Sequence, residues 1–370
     1  MKKIIICCDG TWNKEDAGGG SNTNVLKLIR SLEPDDGAGN SQVVFYDEGV
    51  GTSGFSLERA IGGATGLGIS KNIRDCYYFL ANNYQAGDEI YCFGFSRGAY
   101  TVRSFAGLLS TFGLLSKDYL HVLPQLYTIY QTKPEKRAQY KDYQTVQDAL
   151  KNAAKPRIKV MGVWDTVGAL GAPTPLLGLI TRHLWVKYHD VELQNTDYAY
   201  HALAIDECRK PFKPSIWTTQ PNDCQEVKQV WFSGVHSNIG GGYANDGLSD
   251  IALAWMVKMV STRGLRFNAA HLGATVNPNH MGQLVDSYST LYKLLGPYLR
   301  PVGQAHHVPP TGTLLNRVMG VNTAPGVNEL IHESVLDRIN NAANLAPSNP
   351  ETYNRKNRDI AIALPLPIEP

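Results

Sequence analysis

With 370 residues, the chain is long enough for one large α/β domain or two smaller ones, and its composition gives no sign of disorder. The 35 basic and 33 acidic residues nearly balance, which argues against a nucleic-acid-binding surface. The six cysteines form no C-x-x-C pair, so we expect reduced, structural cysteines and neither a metal site nor a cofactor requirement.

The N-terminus offers only a short apolar stretch, Ile4 to Cys8, before Asp9. That stretch is too short for the core of a signal peptide or for a membrane span. The sequence therefore predicts a cytoplasmic protein without a signal peptide. Export by a route that needs no cleaved signal stays open.

The first hundred residues alternate between strand and helix patterns. The predicted elements are a buried strand at 2–8, a short helix at 24–32, a strand at 42–46, a longer helix carrying Ile69, Ile73, Cys76 and Leu80 on one side, and a strand at 88–95. This alternation is typical of a parallel sheet with helices on both faces.

The fifth element leads into Gly94-Phe95-Ser96-Arg97-Gly98, a Gly-x-Ser-x-Gly motif. Helical periodicity follows it at once, with Ala99, Val102, Ala106 and Leu109 three or four residues apart. A strand, a sharp turn at serine and a helix together predict a nucleophile elbow.

The remaining elements are less regular. We expect a helical insertion at 117–155, a strand at 157–164, a helix at 198–208, a last clear strand at 226–232, a helix at 248–260, and helical stretches at 281–295 and 328–343. We interpret residues 1–370 as one α/β-hydrolase domain, with a core at about 1–262 and a C-terminal helical extension at about 263–370.

A serine nucleophile needs a base within reach and an acid to orient that base. Ser96, Asp165 and His236 occur in the order serine, acid, histidine, and each follows a predicted strand. Both features are typical of α/β-hydrolases. We therefore predict that these three residues form a catalytic triad.

Other roles and other residues fit parts of this pattern. Asp165 could simply cap the turn after its strand. Asp206 and Asp250 are rival acids, and His332 is the rival base that also follows the acid in sequence. The glycine-rich run after His236 favours His236, because it lets the backbone approach a site closely.

The loop Asp9-Gly10-Thr11 follows the first buried strand. Aspartate-nucleophile phosphatases carry another aspartate two residues before this position, where the present chain has Cys7. As an alternative, the backbone N–H of Gly10 or Thr11 could join that of Arg97 in an oxyanion hole. An ordinary Asx-turn explains the loop equally well.

The stretch at 175–186 is apolar but interrupted, and basic residues flank it. Such a segment is typical of a lid that contacts lipid transiently at a membrane. Core packing accounts for it as well.

Four sequence blocks in this order resemble one known family. They are Asp9-Gly10-Thr11-Trp12-Asn13, Gly94-Phe95-Ser96-Arg97-Gly98-Ala99, Trp164-Asp165-Thr166-Val167-Gly168 and the block from Gly234 to Tyr243. The chain is similar to the α/β-hydrolase domain found as the catalytic part of bacterial type VI secretion phospholipase effectors. The likeness spans residues 3 to about 259.

The resemblance implies that Ser96 is the nucleophile, Asp165 the acid and His236 the base. It also implies hydrolysis of acyl esters, with membrane phospholipid as the substrate of the characterised effectors. If the chain is an effector, the resemblance further implies export by type VI secretion and an immunity or secretion partner. One position departs from the pattern: the family commonly has His-Ser-Asp, and this chain has Asn238.

The sequence thus predicts a serine hydrolase that cleaves carboxylic esters through an acyl-enzyme. Two alternatives remain open. One is a metal-assisted phosphoesterase that uses Asp9, Asp165 and Asp47, and the other is a catalytically silent hydrolase fold used for binding.

Overall fold

A computed structural model describes residues 1–10, 22–49, 67–168, 192–288, 292, 296–307, 323–341 and 366–370. Among these residues, eight strands form one sheet, and a separate pair of short strands is antiparallel. The strands are β1 (Lys3–Cys8), β2 (Gln42–Asp47), β3 (Glu89–Phe95), β4 (Ile158–Trp164), β5 (Thr196–Ala204), β6 (Glu226–Phe232), β7 (Ala305–His307), β8 (Thr323–Pro325), β9 (Glu329–His332) and β10 (Ile368–Glu369).

Helices connect most of these strands. They are α1 (Asn24–Ser31), α2 (Leu67–Asn83), α3 (Arg97–Phe112), α4 (Leu123–Gln131), α5 (Tyr143–Leu150), α6 (His236–Gly240), α7 (Gly247–Ser261), α8 (Ala269–Thr275) and α9 (Glu333–Asn340). Short 3₁₀ helices lie at Lys117–Val122, Pro134–Gln139 and Lys210–Phe212.

The large sheet has the order β10-β9-β6-β5-β4-β3-β1-β2, and its neighbouring strands are parallel throughout. Strand β1 shows how both faces are covered. Ile4 and Ile6 pack in one core cluster with residues of α2 and α3, whereas Ile5 and Cys7 pack in a second cluster with residues of α1 and α7. This arrangement confirms the predicted α/β-hydrolase-like fold class.

One predicted helix is wrong. Residues 198–208 were expected to be helical, but Tyr198 to Ala204 belong to β5, which pairs with β4 on one side and β6 on the other. Because both faces of this central strand are covered, its residues from Ala199 onward are all buried. A continuous apolar run carries no period of two, so the pattern alone could not separate a buried strand from a helix.

The C-terminal part also differs from the expectation. Residues 281–288 form no helix, and most of the remainder of that predicted stretch lies outside the described residues. Within 328–343 only Glu333–Asn340 is helical, because Glu329–His332 forms strand β9 beside β6. Strands β9 and β10 therefore extend the sheet beyond β6, which sequence reasoning had taken as the last strand.

All six cysteines are buried, and none of them forms a disulfide bond. In the part of the chain that the structure describes, no helix combines the length and the apolar character needed to cross a bilayer.

Candidate active site

Ser96 lies between the end of β3 and the start of α3, in a backbone conformation with φ 58° and ψ −121°. Its two flanking glycines have no room for a side chain. A Cβ on Gly94 would lie 2.6 Å from the Ala99 nitrogen, and one on Gly98 would lie 2.1 Å from the Cys8 carbonyl oxygen. The strained turn places the serine, which is 8% exposed, at the strand end, with the first turn of α3, including the Arg97 N–H, beside it.

Three predicted site residues meet at this end of the sheet. Ser96 follows β3, Asp165 follows the adjacent β4, and His236 opens α6 after β6. His236 Nε2 lies 2.8 Å from Ser96 Oγ, and His236 Nδ1 lies 2.6 Å from Asp165 Oδ2. With the proton on Nδ1 donated to Asp165, Nε2 of the neutral ring accepts the hydrogen bond of the serine hydroxyl.

The His236 ring is enclosed by aromatic side chains and is only 5% exposed. Its centroid lies 4.6 Å from that of Phe95 and 5.0 Å from that of Phe212, which meets it edge-on. Burial lowers the pKa of His236, while the hydrogen bond and charge of Asp165 partly oppose that shift. The ring is therefore kept in its neutral, proton-accepting form.

Asp165 is completely buried, and its backbone has φ 36°, outside the range that most residues adopt. Oδ1 accepts a hydrogen bond from the Ala204 N–H at 3.0 Å. Arg300 donates to both carboxylate oxygens, at 2.5 Å to Oδ1 and 3.0 Å to Oδ2. Burial alone would raise the pKa of Asp165, but the Arg300 and His236 contacts hold it well below its usual range, so the carboxylate is ionised.

A second ion pair, whose carboxylate is buried, supports the histidine from its backbone side. Glu207 is fully buried and accepts the His236 N–H through Oε2 at 3.2 Å. Its carboxylate also accepts two side-chain hydrogen bonds from Arg209, at 2.9 and 2.7 Å. The Arg209 guanidinium stacks 3.6 Å from the Phe212 ring centroid, so ion pair and aromatic wall form one unit around His236.

Sequence reasoning missed Arg300, Glu207 and Arg209. Glu207 lies at the end of the segment that was taken for a helix, and Arg209 directly follows that segment, so the strand end that positions them was not recognised. Arg300 contacts a carboxylate 135 positions earlier in the chain, and no local pattern marks such a pair.

The rival acids have other partners. Asp206 Oδ2 accepts the Gly234 N–H at 2.7 Å and so fixes the turn that precedes His236. Asp250 forms an ion pair with Lys27 at 2.7 Å.

The rival base, His332, lies at the start of α9. Its Nδ1 accepts the Ser334 N–H at 3.2 Å, and its ring stacks on Phe232 at 4.6 Å. Burial lowers the pKa of His332 to about 4, which fits a neutral capping residue in a packed position.

The loop after β1 is partly described. Asp9 is buried, and its carboxylate accepts hydrogen bonds from Thr23 Oγ1 at 2.5 Å, Tyr46 Oη at 2.9 Å and the Gly10 N–H at 2.7 Å. The Gly10 N–H, one of the two expected oxyanion donors, thus donates to Asp9. Thr11, the other expected donor, lies outside the described residues, as does the apolar stretch at 175–186.

The carboxylates of the phosphoesterase alternative do not converge on a common centre. Asp165 is paired with Arg300, and Asp47 Oδ1 accepts from Asn72 at 2.6 Å and from the Gly49 N–H at 2.8 Å. Within the described ranges, no group of three or more His, Cys, Asp or Glu side chains is arranged to hold a metal ion.

Asn238 is buried within α6, two residues after His236. Its Oδ1 accepts the N–H of Val235 at 3.3 Å and of Val285 at 3.4 Å, while its Nδ2 donates to the Gln283 carbonyl at 3.2 Å. An ionised aspartate could accept the first two bonds but could not donate the third. The asparagine therefore suits this position as a brace between two loops.

The family model for the catalytic domain of Tle1-like phospholipase effectors of the type VI secretion system matches residues 2–259. The chain belongs to this family. The match covers all four sequence blocks that carried the resemblance, and it confirms that resemblance. It ends before the segment that supplies Arg300.

Three other proteins are similar to this Tle1-like chain. The uncharacterized protein YEL023C of Saccharomyces cerevisiae is 29% identical over 240 residues, which are 60% of this chain and 33% of the yeast protein. A crystal structure of an uncharacterized protein from Pseudomonas aeruginosa has 18% identity and a TM-score of 0.43, over 76% of this chain and 49% of that one.

The third is the structure of the Tle1 effector bound to the VgrG spike of the type VI secretion system. It has 18% identity and a TM-score of 0.36, over 66% of this chain and 52% of that one. The chain thus spans a third of the yeast protein's length and about half of each solved structure.

Proposed function

We propose that the chain is a serine hydrolase that cleaves carboxylic acyl esters, with phospholipids as its substrate class. The observation that carries this proposal is the continuous hydrogen-bonded series from Ser96 Oγ through the His236 ring to Asp165, at 2.8 and 2.6 Å, on a strained elbow. Membership of a phospholipase effector family supports lipid as the substrate.

In the proposed reaction, His236 Nε2 takes the proton from Ser96 Oγ as the oxygen attacks the ester carbonyl. Ionised Asp165 holds the ring in the tautomer with a proton on Nδ1 and stabilises the imidazolium that forms. The imidazolium then gives its proton to the departing alcohol, which leaves an acyl group on Ser96. Water, activated by His236, hydrolyses this acyl-enzyme and restores the serine.

Negative charge on the carbonyl oxygen needs donors that are already in place. The Arg97 N–H, in the first turn of α3, is one proposed donor. Because the Gly10 N–H donates to Asp9, we propose Thr11 rather than Gly10 as the donor from the β1 loop. No metal ion or organic cofactor takes part in these steps.

Labelling by a fluorophosphonate probe tests the chemistry directly. We expect the intact protein to be labelled, Ser96→Ala not to be labelled at all, and His236→Ala to react about a thousandfold more slowly or less. Labelling that survives in Ser96→Ala, or hydrolysis that chelation abolishes, would favour the metal-assisted alternative. A protein that is not labelled would favour the silent binding fold.

Substrate class is tested by comparing phospholipid vesicles with a graded series of soluble acyl esters. Release of fatty acid from vesicles that is lost in Ser96→Ala would support the phospholipase assignment. Activity on short esters alone would restrict the proposal to a soluble esterase. Transient membrane contact, and a secretion or immunity partner, belong to the phospholipase form of the proposal.

A further inference from the structure

Arg300 lies beyond residue 259, where the family match ends, yet it contacts the proposed catalytic acid. It belongs to a segment, residues 296–304, that packs along the loop after β5. The Tyr298 N–H donates to the Cys208 carbonyl at 2.8 Å, and the Gly303 N–H donates to Glu329 Oε2 at 2.9 Å. These contacts fix the backbone on both sides of Arg300.

The Arg300 guanidinium makes four hydrogen bonds at the site. Nη1 donates to Asp165 Oδ1 at 2.5 Å and to the Ala204 carbonyl at 2.8 Å. Nη2 donates to Asp165 Oδ2 at 3.0 Å and to the Phe212 carbonyl at 2.8 Å. The side chain is fully buried, so each bond forms away from water and its direction is restricted.

This pattern constrains two of the groups that contact the His236 ring. One is Asp165, whose carboxylate plane is set by the two-point contact with the guanidinium. The other is Phe212, whose ring meets His236 edge-on at 5.0 Å and whose carbonyl is bound by Arg300. The Arg300 side chain thus connects Asp165 with Phe212, which packs against the His236 ring.

Arg300 also changes the charge of the site. Asp165 and a protonated His236 would by themselves form a neutral pair, but with Arg300 the same protonation leaves a net positive charge in a buried place. The buried positive charge opposes protonation of the ring and favours the neutral base.

Other charged or titratable groups surround the pair. From the elements packed against it they are Asp206, Glu207 and Arg209 after β5, His201 on β5, Tyr243 after α6 and Arg103 on α3. The charge of Arg209 lowers the pKa of His236 and that of its partner Glu207 raises it, so the two effects oppose each other. Burial, followed by the charge of Arg103, lowers the pKa of His201 to about 3. Arg300, by contrast, contacts the carboxylate of Asp165 directly.

We propose that Arg300 is a positioning residue that fixes Asp165 by a two-point contact and, through its charge, keeps His236 unprotonated to lower pH. The proposal rests on the proposed function, in which Asp165 and His236 act on Ser96. It assigns part of the active site to a segment outside the matched catalytic domain.

The test compares three variants of the full chain by the pH dependence of fluorophosphonate labelling and by NMR titration of the His236 ring. Arg300→Met removes both the positive charge and the two-point contact of the guanidinium with Asp165. Arg300→Lys keeps the charge but loses the two-point contact. Arg338→Met is the control. Arg338 is also fully buried, and it donates to the Gly282 carbonyl at 2.8 Å. Circular dichroism checks that each variant is folded.

We expect Arg300→Met to be labelled at least about tenfold more slowly at its optimum pH. The acid limb, which is the fall in labelling rate at low pH, and the titration of His236 should both move to higher pH. Arg300→Lys should label about tenfold more slowly, with the limb close to that of the intact protein. Arg338→Met should leave the position of the limb unchanged.

A folded Arg300→Met whose limb and His236 titration match the intact protein would overturn the proposal, as would equal shifts in the Met and Lys variants. If Arg300→Met does not fold, Arg300→Lys decides: a full labelling rate contradicts the positioning role, and a slower rate with an unmoved limb supports it. If the intact protein is not labelled, the proposed function fails, while the NMR titration still tests the effect of Arg300.

Discussion

At the scale of single residues, the candidate site depends on a histidine that is buried and yet bonded to a carboxylate. These two influences act on the His236 pKa in opposite directions, with burial the larger. The ring is consequently a base that stays neutral over a wide pH range. The neighbouring Glu207–Arg209 ion pair adds little net charge.

We predict that the acid limb of activity lies below pH 6.5, the ordinary pKa of histidine. The sign follows from burial: a lowered pKa means that the ring takes up its proton only at lower pH, so the active form persists there. The measurement is the pH dependence of the labelling rate, with circular dichroism at each pH as the control for unfolding. A limb at or above 6.5 in a folded protein would contradict it.

The sequence predicts Ser96, Asp165 and His236 as site residues because each obeys a local rule, and the structure brings their side chains within hydrogen-bond distance of one another. Ser96 stands in a motif whose glycines are required by contacts with Ala99 and Cys8, and Asp165 and His236 directly follow strands. Arg300 obeys no such rule. Its role is defined only by the fold, which brings it to a carboxylate far away in sequence.

At the scale of elements, the elbow is a three-way junction of β1, β3 and α3. Gly98 is the point of closest approach, because the Cys8 and Asp9 carbonyl oxygens lie 2.1 and 2.5 Å from where its Cβ would be. Helix α3 therefore packs against the end of β1 with no intervening side chain.

We predict that Gly98→Ala lowers the free energy of unfolding by about 2 kcal/mol or more and slows labelling, because α3 and the β1 loop must separate. Gly273→Ala is the matched control. Gly273 lies within α8, with no atom within 4 Å of its Cβ position, so alanine there should stabilise by about 0.5–1 kcal/mol. Denaturant unfolding measures both, and equal stabilities for the two variants would contradict the packing argument.

Five strands were predicted correctly from their sequence patterns, and β5 and β9 were not. The patterns of β1, β2, β3, β4 and β6 located them within a residue or two. Strand β5 was mistaken for a helix because burial on both faces removes the alternation, and β9 because its four residues run directly into α9. Short or fully buried strands are recognised only through their neighbours in the sheet.

At the scale of the whole molecule, distant parts of the chain are joined by buried polar contacts. Lys27 of α1 is almost fully buried and pairs with Asp250 of α7 at 2.7 Å. Asp250 also accepts the Asn277 N–H at 2.7 Å, so the contact reaches the segment after α8. Burial raises the pKa of Asp250, and Lys27 partly counteracts that shift.

We predict that Lys27→Met lowers the free energy of unfolding by about 3 kcal/mol near neutral pH, because it leaves a buried carboxylate without its cation. A carboxyl whose folded-state pKa is raised favours folding at low pH, and this contribution is lost as pH rises through that pKa. The variant should therefore lose more stability than the intact protein as pH increases from about 4 to about 8.

The matched control is Lys71→Met, which removes an ion pair with Asp75 whose lysine is 70% exposed. Exposed pairs contribute little, so its stability should change by less than about 0.5 kcal/mol. Denaturant unfolding at several pH values measures both variants. If Lys27→Met were as stable as Lys71→Met at every pH, loss of Lys27 would not destabilise the buried carboxylate of Asp250, and the prediction would be wrong.

The position of Arg300 has a consequence for how relatives of this chain are compared. A homologue could preserve the serine, aspartate and histidine blocks, and the motif-bearing domain around them, while lacking any cation at the place where this chain brings one back from far downstream. By the proposed role of Arg300, two such proteins would align well, and their activities would still depend differently on pH. On the proposed role of Arg300, activities within the family are better compared by including the counter-ion of Asp165 than by the motif blocks alone.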